Sequence, residues 1–287
     1  MNLANSGKAA AGAAVAGLLL LGLAVPAAAH RMEKRFPVEV RPVVTIRNFH
    51  GRINVKSWQK PEVLVVASHT SEKSEVDAEQ AGNRIDIITH VLENVSPQEL
   101  EANYEITVPE ETELQVKTDS GWVVIERVAG DMMIDTVAAN VDLREVAGYL
   151  VIKTVGGSLL CFRCAGRIDF NSISGNVKFD QPISSNVRAS TSTGSIFFDG
   201  DFLRGGMYIL KTYSGPIEVR FSDSDSFGLS AGTRGVVDSQ VKLKEPAHKR
   251  STPHRFSTSL FGTFNDGTAR VELTSFNGTI RILRRGQ

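Results

Sequence analysis

The sequence predicts an all-β protein, a parallel β-solenoid (a single-chain β-helix, expected to be right-handed) with coils of about 18–21 residues. Three observations predict it. First, residues 115–186 read as four copies of one 18-residue unit: QVKTDSGWVVIERVAGDM, MIDTVAANVDLREVAGYL, VIKTVGGSLLCFRCAGRI and DFNSISGNVKFDQPISSN. Thr118, Thr136, Thr154 and Ser172 share one column, and Gly130, Gly148 and Gly166 another. Second, the apolar residues within a unit alternate, as in Val123 and Ile125, then Val128, then Met132 and Ile134. That is the strand period, and 18 residues suit two short strands and two corners better than two helices. Third, the outward columns alternate in sign: Lys117, Asp135, Lys153; Arg127, Glu145, Arg163; and Glu126, Arg144. Like charges one strand spacing apart would repel, so the alternation supports the register, although each exposed pair contributes well under ~1 kcal/mol.

Residues 1–29 read as a secretory leader. Lys8 precedes a small and apolar run ending at Pro26, and Ala27, Ala28 and Ala29 offer a cleavage site before His30. An uncleaved anchor is the alternative, but the run is near the lower limit for crossing a bilayer, and Arg31, Lys34 and Arg35 oppose the required orientation. The expectation is an exported chain, in the periplasm or at the cell surface or beyond, with no stable membrane span after cleavage. The chain has 32 basic and 32 acidic residues, so nothing points to nucleic acid.

Residues 31–40 read as a lead-in. Residues 43–58 read as two strands around a Gly corner, residues 63–68 and 84–90 as further strands, residues 71–80 as a loop or short helix, and residues 96–103 as a loop. YEITV, from Tyr104, is a strand ending at Pro109. After the regular units, Gly194 lies 19 residues past Gly175, Gly215 21 further on, and Gly235 another 20. Residues 242–255 lie within a long excursion, and residues 268–283 return to the stack. The division expected is a leader 1–29 and one domain 30–287, the latter comprising an irregular part 30–113, regular repeats 114–237, an excursion 238–267 and a closing coil 268–287. Counting Gly corners gives roughly nine coils and a length of about 40 Å.

RNFHGRINVKSW, YEITVPEETELQVKTDSGWVVIERVAG and FNDGTARVELTSFNGTIRIL together resemble a bacterial family of exported β-strand-repeat proteins, a domain of unknown function labelled "putative adhesin". The resemblance implies a β-helical solenoid outside the cytoplasm and brings no catalytic residues.

Candidate chemistry is sparse. Cys161 and Cys164 occupy inward apolar columns, so core thiols, a disulfide across the corner and a redox or metal pair are the readings, the last without a second pair of ligands. Asp199 with Asp201, and Asp223 with Asp225, could hold a hard cation or serve glycan cleavage, but Asp is also an ordinary turn residue. The six histidines are scattered. Lys242, Lys244, Lys249, Arg250 and Arg255 form a basic stretch, and Trp122 points outward from its strand; these are the candidate ligand surface. No Ser-His-Asp spacing, phosphate loop or G-x-S-x-G elbow is present. No catalytic residue, cofactor or metal site is expected. Function is expected to be that of a non-enzymatic envelope or secreted adhesin-like scaffold, with an envelope polysaccharide or envelope protein as partner. The alternatives are a β-helical glycan-processing enzyme and an envelope-stress or regulatory partner protein.

Overall fold

The computed structural model describes residues 30–69, 71–92, 100–245 and 257–286. The expected leader, residues 96–99 of the expected 96–103 loop, and Lys249, Arg250 and Arg255 lie outside the described residues; Ala102 and Asn103, expected in that loop, are in a strand. No described helix is long and apolar enough to cross a membrane.

The chain is all-β. In order, the strands are β1 (His30–Pro37), β2 (Val43–Asn48), β3 (Arg52–Trp58), β4 (Glu62–His69), β5 (Ser74–Ala81), β6 (Arg84–Val91), β7 (Ala102–Pro109), β8 (Glu113–Thr118), β9 (Trp122–Glu126), β10 (Met132–Thr136), β11 (Asn140–Arg144) and β12 (Ala147–Thr154). There follow β13 (Leu159–Phe162), β14 (Ala165–Ser172), β15 (Val177–Asp180), β16 (Ile183–Thr191), β17 (Ile196–Asp199), β18 (Met207–Thr212), β19 (Ile217–Phe221), β20 (Phe227–Thr233), β21 (Val237–Ser239), β22 (Thr258–Phe264), β23 (Ala269–Ser275) and β24 (Ile280–Arg284). They form two mostly parallel twelve-stranded sheets. One runs β1-β4-β7-β3-β9-β11-β13-β15-β17-β19-β24-β21, the other β22-β20-β23-β18-β16-β14-β12-β10-β8-β2-β6-β5. From β8 to β19 the chain alternates between the sheets, so each pair of strands makes one layer on top of the last.

The 18-residue register is present in the pairing. Thr118, Thr136, Thr154 and Ser172 are successive neighbours. Asp135 lies between Lys117 and Lys153, and Glu145 is 3.8 Å from Arg163. Inside, Ile125, Leu143, Cys161 and Phe179 form one buried column. The core lies between the two sheets. It is mainly aliphatic in the first half and aromatic in the second, where the Phe202 ring lies 4.7 Å from Tyr208 and 4.9 Å from Phe227.

The two kinds of corner differ in their backbone. In the corner leading from the sheet of β10 to that of β11, adjacent layers approach closely: a Cβ on Gly157 would lie 1.8 Å from the Ala139 carbonyl oxygen. At Gly157 close approach, and not left-handed backbone, is what requires glycine; in the same corner of earlier layers Gly51 and Gly121 also carry positive φ, 123° and 105°. The opposite corner places non-glycine residues in the left-handed region, Arg127, Glu145, Arg163 and Gln181 with φ of 56°, 53°, 52° and 50°, once per unit.

Several expectations are corrected. Residues 31–40 contain the edge strand β1, which pairs antiparallel with β4. Residues 71–80 hold strand β5, antiparallel to β6, and no helix. The stack contains ten layers of paired strands among the described residues, not nine; eleven strand steps per sheet make roughly 53 Å. Space order also departs from chain order at both ends. β2 and β3 sit inside β6 and β7, and β23 and β24 sit inside β20 and β21. The excursion ends in β22, an antiparallel strand on β20 that closes one edge. β24, which carries Arg281 and Arg284, lies between β19 and β21 and is not the end of the stack.

Candidate interaction surface

Most corners leaving the β8-containing sheet are built around a hydroxyl; after β2 the Asn48 amide takes its place, donating to His50 O and Ala102 O. Thr154, Ser172, Thr191, Thr212 and Ser275 each accept a hydrogen bond from a glycine N–H three residues on, at 3.0, 2.7, 3.1, 3.0 and 2.8 Å. The same hydroxyls reach the neighbouring layer: Thr191 donates to Gly175 O at 3.3 Å, Thr212 to Gly194 O at 3.3 Å, and Ser275 to Gly215 O at 3.1 Å. Thr136 belongs to the unit with Ala139 in place of that glycine, and its hydroxyl finds no partner. With the hydroxyl turned inward, the next residue is turned out.

Those next residues form a ridge. In stack order they are Phe49, Asp119, Val137, Val155, Ile173, Ser192, Tyr213, Phe276 and Arg234. Corner hydrogen bonds fix the sequence: Ser120 N to Phe49 O, Val155 N to Val137 O, Thr193 N to Ile173 O, Tyr213 N to Ser192 O, Asn277 N to Tyr213 O, and Arg234 N to Phe276 O. Phe49, Val137, Val155, Ile173 and Tyr213 are between 36% and 57% exposed, unusual for a repeated apolar position. Tyr213 and Phe276 stack at 4.8 Å and 11°, and the Arg234 guanidinium caps Phe276 at 4.3 Å. Eight layer steps make the ridge roughly 38 Å long.

Among the described residues of the expected ligand surface, Trp122 is not brought together with Lys242 and Lys244. Trp122 is exposed at the start of β9, between Arg52 and Asn140. β21, which leads to Lys242, is seven strand steps away, roughly 34 Å. Lys242 and Lys244 are exposed, and the Lys244 backbone pairs with Thr263.

The acidic corners are occupied. Arg285 reaches Asp199 at 2.8 Å and Asp201 at 3.0 Å, and Arg284 reaches Asp223 at 3.3 Å. Asp225 is buried, accepts from Phe202 N at 2.8 Å and Ser222 N at 2.7 Å, and burial raises its pKa. Cys161 and Cys164 are bonded to each other inside the core. Two shallow grooves mark the outer face of the β9 sheet. One, of about 360 Å³, lies between Lys56, Leu64 and Glu105; the other, of about 260 Å³, lies between Arg144, Phe162 and Asp180.

The ridge was present in the alignment but overlooked by sequence reasoning. Val137, Val155 and Ile173 recur every 18 residues immediately after the Thr column. An apolar column at a corner, out of phase with the inward alternation, is the signal that would have found it.

No family model and no curated protein sequence matches the chain. Three solved structures resemble it. A "putative adhesin" from Bacteroides fragilis aligns over 89% of this chain and 97% of its own, at 10% identity and a TM-score of 0.44. A "putative adhesin" from Parabacteroides distasonis aligns over 88% and 97%, at 9% identity and a TM-score of 0.34. A "putative cell adhesion protein" from Clostridium sporogenes aligns over 89% and 100%, at 12% identity and a TM-score of 0.26.

Proposed function

We propose that this chain is a non-enzymatic, exported, adhesin-like binding module, built as a right-handed parallel β-solenoid, that holds an envelope protein along its apolar corner ridge. The handedness follows from the rule for parallel strands joined by a crossover in one sheet. The export reading rests on the leader pattern of residues 1–29 and on the resemblance carried by the Gly-corner motifs. The ridge carries the binding reading: an apolar column in water is unfavourable, and covering it returns about 25 cal/mol per Å². The glycan-processing alternative needs carboxylates free to flank a glycosidic bond. Here Asp199, Asp201 and Asp223 face arginines, and Asp225 is tied to backbone N–H groups.

The test is binding of the labelled exported chain to isolated envelopes, alongside a polysaccharide array. The combined variant Val155→Ser, Ile173→Ser, Tyr213→Ser is expected to keep its circular dichroism and to bind protease-sensitive envelope sites at least about tenfold more weakly. Unchanged envelope binding by that variant, or binding confined to polysaccharide, overturns the reading.

A further inference from the structure

The first residue after the expected cleavage site is a histidine, and the structure gives it a partner. His30 begins β1 and lies directly opposite His69 of β4 in the antiparallel ladder. Their rings stack with centroids 5.2 Å apart and planes 19° apart. His69 Nδ1 is 2.9 Å from the Ser71 carbonyl oxygen. A carbonyl can only accept, so Nδ1 carries a proton, and in the neutral ring the lone pair is then on Nε2. Fixing one ring nitrogen on a backbone carbonyl is how metal-binding imidazoles are commonly oriented. His30 is exposed and His69 half-buried, so the pair is open to solvent at the end of the ladder.

Leader removal after Ala29 would add a third nitrogen. An amino-terminal histidine offers both its α-amine and its Nδ1, which close a chelate ring on one ion. The α-amine has an ordinary pKa of about 8, so a metal displaces its proton readily near neutral pH. Two nitrogens each about 2 Å from one ion are at most about 4 Å apart. With centroids 5.2 Å apart, the two rings lie close to that separation.

We propose that the mature chain binds one Cu(II) ion through the α-amine and Nδ1 of His30 and Nε2 of His69. Three nitrogen donors with open positions suit Cu(II), which also binds most tightly among the first-row divalent ions. The proposal rests on the export reading, because only cleavage before His30 frees the amine. Sequence spacing hid the pair, since the two histidines are 39 residues apart.

The experiment expresses the full chain with its own leader in an exporting host, measures the intact mass of the exported form, and titrates it with Cu(II) alone. Calorimetry and electron paramagnetic resonance are the readouts. The expected result is one ion per chain with hyperfine coupling to several nitrogens. His69→Ala and His30→Gln are each expected to weaken binding at least tenfold while melting like the parent. Zn(II) is expected to bind more weakly. A mature chain that starts at His30 but binds copper equally well in both variants, or not at all, overturns the metal site and leaves export standing. An intact mass showing a retained leader overturns both readings; a mass showing cleavage elsewhere overturns the metal site alone.

Discussion

Neighbouring glycines differ sharply in what they tolerate. A Cβ on Gly156 would meet nothing nearer than Ser174 Oγ at 3.4 Å, whereas on Gly157 it would lie 1.8 Å from a backbone carbonyl. Gly156→Ala is therefore expected to shift thermal stability by less than about 0.5 kcal/mol, and Gly157→Ala to cost more than about 2 kcal/mol. Thermal melts of the two variants side by side decide it; equal melting would contradict the close packing of layers. Burial also leaves a pH signature. The Tyr104 and Tyr208 hydroxyls are pushed up to about 12 by loss of water. In the unfolded chain both ionise near the ordinary value of about 10, so above that pH the unfolded state holds fewer protons than the folded one. Stability is thus expected to be steady below about pH 10, to fall between about 10 and 12, and to level off above. Tyr104→Phe should flatten that fall by about 1–3 kcal/mol, measured as denaturant midpoints across the range.

At the level of elements, legibility followed local pattern. The inward columns needed only the 18-residue period, which is why Cys161 was placed beside Leu143 and the thiols indoors. The same logic makes the disulfide replaceable. Its short loop restrains the unfolded chain by no more than about 2 kcal/mol, and other layers fill these columns with Leu143 and Val146. The double variant Cys161→Leu, Cys164→Val is expected to melt within a few degrees of the parent by differential scanning calorimetry; loss of folding would show that the bond is indispensable. β5 was illegible for the opposite reason. SEVDAEQA is poor in strand formers and buries only Ser74, Val76 and Ala78 on one face. Its strand state comes from pairing with β6, a tertiary effect that outweighs propensity.

For the whole molecule, chain order and space order part company at the ends. The Phe-x-Gly-x-Ile segments at Phe49 and Phe276 both belong to layers with neighbours on either side: Gly51 packs on Ala102 and under Gly121, and Gly278 packs on Gly215 and under Gly235. The sequence showed the motif twice but could not show that an outer layer is made from residues nearer the middle of the chain, because that pairing spans long separations. Removing residues 268–287 would take out β23 and β24, leaving β20 and β21 without a seat. Limited proteolysis of that truncation is expected to cut throughout residues 200–245, while residues 113–186 stay protected; protection throughout would contradict the interleaved order. The most direct test of the stacked register is paired-cysteine cross-linking in the Cys161→Leu, Cys164→Val background. Lys117 and Asp135 are lateral neighbours in register, whereas Lys117 and Lys153 are two layers apart. The account predicts rapid disulfide formation for Lys117→Cys with Asp135→Cys and none for Lys117→Cys with Lys153→Cys. Failure of the first pair, or equal cross-linking of both, would contradict it.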